Sequence, residues 1–401
     1  MRYEGRFYIR GQITEACVEV DENGKINKIK KSLDSCRKIK GIVLPGAIDM
    51  HVHFREPGYE HKEDFYTGTL SAAYGGVTFI ADMPNNKPEI TTPSLFQEKL
   101  ERVSAKANVD FTLFSMITES TTVYNFQNGL FKWYMYEMPD ADIPSHGYIT
   151  VHAERKECIG SGKTLREYDL ARPERCEFEA IVSLGDIHRK FHIAHISSRD
   201  SVDACRALGF TCEVTPHHLL LHRDMDLGGF GKVNPPLRER YVAEMLWEDL
   251  ISGRIDIVAS DHAPHTAEEK ADFENAPPGM PEVETYVPIF LYLVKIGRID
   301  IKRAVEVLMS RPADIFGLNK GKIEVGYDAD FIAVDFSEIR RIRERDLHYK
   351  CGWSPYDGMN AIFPRDVFIR GERVIGDGEL EAERLGKFIT LPHEGEYEPS
   401  P

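Results

Sequence analysis

The sequence contains 401 residues, of which 42% are hydrophobic and 29% are charged, and its formal net charge at pH 7 is −15. This composition is ordinary for a globular protein, and the negative charge argues against a nucleic-acid partner. No run of 18 apolar residues occurs, so we expect no membrane partner. The length favours one large domain with an appendage, or two domains.

The cysteines carry information about the compartment. Because the seven cysteines are odd in number, irregularly spaced and without a CxxC pair, we expect reduced thiols rather than a disulfide framework. The stretch "MRYEGRFYIRGQ" has no apolar core of the signal-peptide type. These two features predict a cytoplasmic protein.

Both ends of the chain have the pattern of short strands. The stretch "FYIRGQITEACVEVDENGKINKIKK" alternates strand-like runs with turn residues and predicts a β-meander with a turn at Glu22–Gly24. A similar pattern returns after Leu318, in "GKIEVGYDADFIAVD" and "VFIRGERVIGDGE". We therefore expect residues 1–46 and 320–401 to form one small β-sandwich domain, with residues 47–319 as the central domain.

The central part alternates short apolar runs with helical patterns. The eight runs are Ile48–Phe54, Val77–Met83, Val109–Ile117, Leu130–Met135, Tyr148–Ala153, His192–Ser197, Phe210–Thr215 and Ile255–Ser260. The helical stretches between them include Ser94–Lys106, Glu177–Lys190, Ser201–Leu208 and Tyr241–Ile251. This order predicts an α/β fold, a (β/α)8 barrel of the TIM type. An open doubly wound sheet is the alternative, but no GxGxxG follows the first run. The polar stretch Tyr136–Gly147 is expected to be a loop.

The first apolar run carries a polar side chain at every second position. In "PGAIDMHVHFREPG", the residues Asp49, His51, His53 and Arg55 alternate with apolar residues and so share one face of a strand. The two histidines would lie about 7 Å apart, close enough to converge on one metal ion. We expect Asp49 to orient a histidine or Arg55.

Later runs also end in residues that bind metals. A barrel gathers its strand ends at one face, which would bring the first run together with Lys132, His152, His195 and Asp261. His195 is preferred over His192 because the two are three residues apart and only one can face inward. Imidazole and carboxylate ligands suit zinc, and five of them fit two ions better than one catalytic ion with an open position.

Several of these segments match a known family. In this order, "IDMHVHFREPG", "FKWYM", "VHAE", "AHIS" and "SDHAPH" resemble the cyclic-amide branch of the amidohydrolase superfamily, which includes dihydroorotases, hydantoinases and allantoinases. Within that branch, "HFREPG", "DMPNN", "CEVTPHHL", "KVNPPLR" and "SDHAPHT" resemble dihydroorotases most closely. The resemblance implies the reversible cyclisation of N-carbamoyl-L-aspartate to (S)-dihydroorotate plus water, in pyrimidine biosynthesis, with hydantoinase and allantoinase as the alternatives. A non-catalytic scaffold homologue is a remote alternative, since the ligand positions are all filled.

The resemblance also implies a metal centre with assigned ligands. His51 and His53 would hold one zinc ion, and His152 and His195 the other. Lys132, carboxylated by CO2, would bridge the two ions, although some relatives use an aspartate and the following loop contains Asp140 and Asp142. Asp261 would bind the first ion and act as the general base.

The remaining implied residues concern the substrate. Arg55 can bind a carboxylate through two parallel hydrogen bonds, which distinguishes dihydroorotate from a simple hydantoin. By resemblance, Asn85 and His265 complete the carboxylate pocket. Asn234 and the backbone around Pro278 and Gly279 would contact the ring amides. A homo-oligomer or an association with a transcarbamoylase is a further expectation.

Overall fold

The computed structural model describes residues 1–124, 126 and 128–392. Its strands are β1 (Arg2–Ile9), β2 (Gln12–Val20), β3 (Ile26–Lys30), β4 (Arg37–Pro45), β5 (Ala47–Val52), β6 (Val77–Asp82), β7 (Asp110–Leu113), β8 (Ser115–Met116), β9 (Leu130–Tyr134), β10 (Tyr148–His152), β11 (His192–Ile193), β12 (Thr211–Val214), β13 (Ile257–Val258), β14 (Phe331–Val334), β15 (Arg340–Arg341), β16 (Asn360–Ala361), β17 (Asp366–Ile369), β18 (Glu372–Gly376) and β19 (Glu379–Leu380). Residues 393–401, the end of the predicted second β-segment, lie outside the described residues.

Helices separate most of the central strands. They are α1 (Phe65–Gly75), α2 (Pro93–Ser104), α3 (Leu165–Ala171), α4 (Arg175–Ser183), α5 (Arg199–Leu208), α6 (Pro216–Leu220), α7 (Arg240–Ile251), α8 (Ala267–Lys270), α9 (Tyr286–Lys295), α10 (Ile301–Val305) and α11 (Arg311–Phe316). A π-helical turn, Glu306–Ser310, joins α10 to α11. Among the residues that the structure describes, every helix is too short or too polar to traverse a lipid bilayer.

The two ends of the chain meet in one mixed sheet. Its strand order is β19-β18-β17-β14-β4-β1-β2-β3, and the predicted meander appears as the antiparallel β1-β2-β3 unit. The N-terminal and C-terminal parts join where β4 pairs antiparallel with β14, with Leu44 opposite Ile332. Aromatic residues of both parts, including Phe7, Phe331 and Phe368, share one buried cluster. The eight strands are hydrogen-bonded into a single sheet.

The eight predicted apolar runs form two arrays of parallel strands. One array has the order β5-β6-β7 and the other the order β13-β12-β11-β10-β9-β8. The run Val109–Ile117 is divided at Phe114 into β7 and β8, one belonging to each array. After β13, a parallel bridge pairs His262 with Val52 of β5, and His53 N donates to His262 O at 2.8 Å. The parallel α/β architecture is therefore present.

Two expectations about local structure are wrong. The helix expected over Glu177–Lys190 ends at Ser183 and passes into a 3-10 turn, Leu184–Asp186. The low helix propensity of Gly185 is the physical reason, and a Cβ at this position would lie 2.8 Å from Leu208. The cysteines are also not all free, since Cys158 and Cys176 form a disulfide. The spacing in the sequence does not indicate this pair, because the two cysteines are 18 residues apart. They meet where the loop after β10 contacts the start of α4.

Candidate active site

Three predicted metal ligands meet at the end of the first strand array. Asp261 Oδ1 lies 3.2 Å from His51 Nε2 and 3.0 Å from His53 Nε2. Lys132 Nζ, on β9, lies 3.4 Å from the same nitrogen of His51. All four side chains are buried. Side chains alternate along β5 and its extension, so both imidazoles lie on the same face and contact Asp261, which follows β13.

The other two predicted histidines complete the group. The ring centroids of His152 and His195 are 4.4 Å apart, and those of His51 and His195 are 5.3 Å apart. Burial is the main cause that holds the pKa of His195 well below its usual value. Within the described residues, its buried Nδ1 has no hydrogen-bond partner. His192, three residues earlier, instead packs against Phe316.

The arrangement of the first two imidazoles fits a divalent cation. His51 Nδ1 contacts Glu213, and His53 Nδ1 donates to Asn85 Oδ1 at 2.7 Å, so both Nε2 lone pairs face the Asp261 carboxylate. Burial, together with Lys132, lowers the pKa of His51 to about 4, which leaves this ring neutral near pH 7. Two imidazole nitrogens and a carboxylate oxygen this close together are a donor set that suits a divalent cation.

Burial and neighbouring groups shift the pKa values of Asp261 and Lys132. Burial alone would raise the pKa of Asp261, but the His51 and His53 imidazoles hold it well below its usual value. Burial lowers the pKa of Lys132 to about 8, although Glu213 and Asp261 oppose this shift. A neutral amine is therefore accessible at Lys132 near physiological pH.

The loop aspartates that were alternatives to Lys132 lie elsewhere. Asp142 accepts a hydrogen bond from Thr122 N at 2.8 Å, and its own N donates to Thr118 O. Asp140 is exposed. Both aspartates belong to the loop that follows β9, as expected for Tyr136–Gly147, and neither contacts the histidine cluster.

Sequence reasoning missed two carboxylates that hold the histidines. Glu213 on β12 is fully buried; it accepts from His192 Nε2 at 3.2 Å and from His195 N at 3.3 Å, besides its contact with His51. Carboxylates in this position fix the tautomer and the orientation of a metal-binding imidazole. The signal was a lone acid inside the apolar run "TCEVT", which parity places on the inner face.

The second missed carboxylate is Glu154, two residues after His152. It lies 2.6 Å from His152 Nε2 and accepts from Arg172 Nε at 2.7 Å. Burial would raise the pKa of Glu154, but the hydrogen bonds from His152 and Arg172 lower it to about 2. Because Nε2 of His152 is engaged, Nδ1 is the nitrogen left for a metal.

A cavity opens above the histidines and reaches most of the predicted substrate residues. It is lined by five of them, together with Tyr134 and Tyr136: Arg55, Asn85, Asn234, Pro278 and Gly279. His265 lies behind Arg55 rather than on the cavity wall, because its Nε2 accepts from Arg55 Nη2 at 3.0 Å. Asp49 does not contact Arg55; it accepts from the backbone nitrogens of His51 and Ser260.

Backbone geometry aims several of these side chains. Arg55, His195 and Asp261 are non-glycine residues with positive φ, at 63°, 35° and 49°. This left-handed conformation is strained for residues with a Cβ, and such strain concentrates at functional sites. Each of the three residues follows a parallel strand, so the turn directs its side chain across the strand ends.

Comparisons with known proteins agree with this geometry. A family model described as Dihydro-orotase-like matches residues 40–123, and one described as Amidohydrolase family matches residues 186–374. The dihydroorotase of Thermoplasma volcanium is 42% identical over 407 residues, which cover 96% of each chain. The dihydroorotase of Archaeoglobus fulgidus is 36% identical over 96% of this chain and 98% of the relative.

Solved structures with similar folds include a hydantoinase and a dihydropyrimidinase. The L-hydantoinase of Arthrobacter aurescens superposes with a TM-score of 0.88 at 28% identity, covering 96% of this chain and 98% of that structure. The dihydropyrimidinase of Brevibacillus agri has a TM-score of 0.86 at 24% identity and covers 98% and 99% of the two chains. The second likeness concerns the fold alone.

Proposed function

We infer that this chain, which belongs to the dihydroorotase family, interconverts N-carbamoyl-L-aspartate and (S)-dihydroorotate plus water, a step of pyrimidine biosynthesis. It is a hydrolase that acts on cyclic amides. The observation that carries the choice of substrate is Arg55. Its buried guanidinium opens on the same cavity as the imidazoles of His51 and His53 and the Asp261 carboxylate. A buried cation beside a hydrolytic centre suits a cyclic amide that bears a carboxylate.

The family is metal-dependent, and we propose two zinc ions per chain. His51 and His53 would hold one ion with Asp261, and His152 and His195 the other. When bound, the ions would activate water and polarise the amide carbonyl as Lewis acids. The support is chemical: neutral imidazole nitrogens and a carboxylate are the donors that zinc prefers.

Lys132 would carry the bridge between the two ions as a carbamate. Its lowered pKa makes the neutral amine available, and that amine can add CO2 with release of one proton. The Nζ to His51 Nε2 distance of 3.4 Å supports this role, because a carboxylate group added at Nζ would lie among the imidazoles.

The chain's own residues would move the proton and hold the substrate. Asp261 would take the proton from the attacking water and deliver it to the departing ring nitrogen. Arg55 would bind the substrate carboxylate with Asn85, while His265 holds the Arg55 guanidinium in place. In the reverse direction the same groups would close the ring with loss of water.

Other expectations complete the proposal. Asn234 and the backbone at Pro278 and Gly279, which line the same cavity, would contact the ring amides. We propose that strands β5–β13, with β7 and β8 counted as the two parts of one run, close into a (β/α)8 barrel, and that residues 1–46 and 320–401 form one β-domain beside it. The cytoplasmic location, a homo-oligomer and an association with a transcarbamoylase stay predictions.

An assay on zinc-loaded protein in bicarbonate buffer tests the function. Dihydroorotate, N-carbamoyl-L-aspartate, hydantoin and allantoin are offered separately, and chelator-treated protein is the control. We expect turnover of the first two substrates only, with loss on chelation. Turnover of hydantoin or allantoin instead would overturn the substrate assignment of Arg55 and favour a sister enzyme, in line with the likeness to the L-hydantoinase.

A further inference from the structure

A buried lysine outside the metal cluster holds two segments of the cavity wall. Lys270 is the last residue of α8, and its side chain is fully buried. Its Nζ donates to three backbone carbonyl oxygens, those of Lys232 at 3.0 Å, Pro277 at 2.8 Å and Gly279 at 2.8 Å. The three N–H bonds of an ammonium group match these three acceptors.

The three carbonyls belong to two segments that are distant in sequence. The first segment, residues 232–234, ends at Asn234, and the second, residues 277–279, contains Pro278 and Gly279. Asn234, Pro278 and Gly279 line the cavity. The two segments also meet directly, because Gly279 N donates to Lys232 O at 2.9 Å. Lys270 therefore joins the two pieces of backbone that would contact the ring amides.

The second segment has little freedom to move. Gly279 has a φ of 133°, and a Cβ at this position would lie 2.5 Å from Ala263 O. On the same segment, Pro278 O lies 3.1 Å from His265 Nε2, the nitrogen that also contacts Arg55. A shift of this backbone would thus disturb both the ring-amide side and the carboxylate side of the cavity.

We propose that Lys270 is a positioning residue for substrate binding, which fixes the Asn234 segment against the Pro278–Gly279 segment. The proposal rests on the proposed function, since it assumes that these segments contact a cyclic amide. None of the three hydrogen bonds of Lys270 reaches a predicted metal ligand. Removing Nζ leaves three carbonyls without this donor, so the segments would relax while the metal cluster stays intact.

The test compares Lys270→Met with a matched variant on the same helix. Methionine keeps a long apolar side chain but cannot donate, and Glu268→Gln changes an exposed side chain of α8. We expect Lys270→Met to raise KM for dihydroorotate at least tenfold while kcat falls less, with zinc content unchanged. Glu268→Gln should match the wild type. An unchanged KM, or loss of zinc in Lys270→Met, would overturn the proposal.

A second variant covers the case in which Lys270→Met fails to fold. Gly279→Ala leaves Lys270 in place and displaces the same segment through the contact with Ala263 O. It should reproduce the rise in KM, and a normal KM would count against the proposal. With Asn234→Ala, the effect of Lys270→Met should be less than additive, because both changes act on one contact.

The outcome for the wild type separates this proposal from the proposed function. If wild-type protein turns over hydantoin or allantoin rather than dihydroorotate, the substrate assignment fails. KM for the cyclic amide that is turned over then tests Lys270, because the ring amide is common to all of these substrates. A rise in KM supports the positioning role there as well, and an unchanged KM contradicts it.

Discussion

Among the residues that the structure describes, two buried clusters have ligand atoms close enough together to hold a metal ion, and they differ in the cation that the chain itself supplies. In the first, His51, His53 and Asp261 face one another beside the cavity. In the second, Asp110, Asp328 and Asp330 surround Lys320, whose Nζ lies 2.7, 2.8 and 2.7 Å from their carboxylates.

The lysines of the two clusters have opposite electrostatics. Burial would lower the pKa of Lys320, but the carboxylates of Asp330, Asp110 and Asp328 raise it, so the chain supplies its own cation. Burial lowers the pKa of Lys132 to about 8, so near neutral pH Lys132 gives up its proton far more readily than Lys320 does. Proximity of carboxylates therefore does not identify a metal site; the charge that already neutralises them decides it.

The largest expected effect is on chemistry at the first cluster. Asp261→Asn removes the proposed proton acceptor, and we expect kcat to fall by about 10³-fold, within the range for general acid–base catalysis. Steady-state kinetics on zinc-loaded protein measure this, with the melting temperature as a check on folding. A variant that keeps more than a tenth of wild-type kcat would contradict the assignment of Asp261 as the general base.

The second cluster should respond in stability instead of activity. Lys320→Met removes the ammonium group shared by the three carboxylates; Asp110 still pairs with Arg370 and Asp328 with Lys25, but the buried Asp330 loses its cation. We therefore expect a loss of about 3–5 kcal/mol in the free energy of unfolding. Denaturant titration measures the loss, and KM and zinc content of the folded protein should not change. Lys322→Met, which breaks the partly exposed pair with Asp314, is the control and should cost less than about 1 kcal/mol. Loss of zinc in Lys320→Met would contradict the division between the clusters.

Arg55→Met tests whether Arg55 binds the substrate or supports the metal ligands. Loss of the guanidinium removes charge-assisted hydrogen bonds, which are worth about 1.5–3 kcal/mol, so KM for dihydroorotate should rise by roughly ten- to a hundredfold. Kinetics with dihydroorotate and metal analysis are made on the same preparation. If zinc disappears together with activity, Arg55 supports the metal centre and not the substrate.

The last expected effect is on metal affinity and concerns Glu213, the carboxylate behind His51. Glu213→Gln keeps the shape and an acceptor oxygen but removes the charge, and we expect zinc affinity to fall by about 10- to 100-fold. Competition with a chromophoric chelator measures the affinity, and the exposed Glu179→Gln serves as a control. Unchanged affinity would show that Glu213 serves only the packing around His192 and His195.

Much of the first cluster is visible in the sequence because its signals are local. The alternation in "IDMHVHFRE" is enough to put His51, His53 and Arg55 on one face, since the side-chain period of a strand is two. The lone lysine and histidines of later apolar runs point to the same strand ends. The order of strands and helices follows from short local patterns, and each of the eight central runs contains at least one strand in the structure.

The second cluster and the supporting residues are not visible in this way. Asp110 and Lys320 are 210 residues apart, and the contacts of Glu213 with His51 and of Lys270 with Lys232 likewise depend on how distant segments pack. No local period encodes such pairs. The Cys158–Cys176 disulfide was missed for the same reason.

By itself, the sequence determined the alternating elements, the donor types of the predicted metal cluster and the resemblance to the family. The tertiary structure decided which buried charges are already neutralised, as at Lys320, and which face an open cavity, as at Asp261. It also decided that His265 lies behind Arg55. The physical reason is that burial and the distance between charges set pKa values and ion pairing, and both arise only when distant segments pack together.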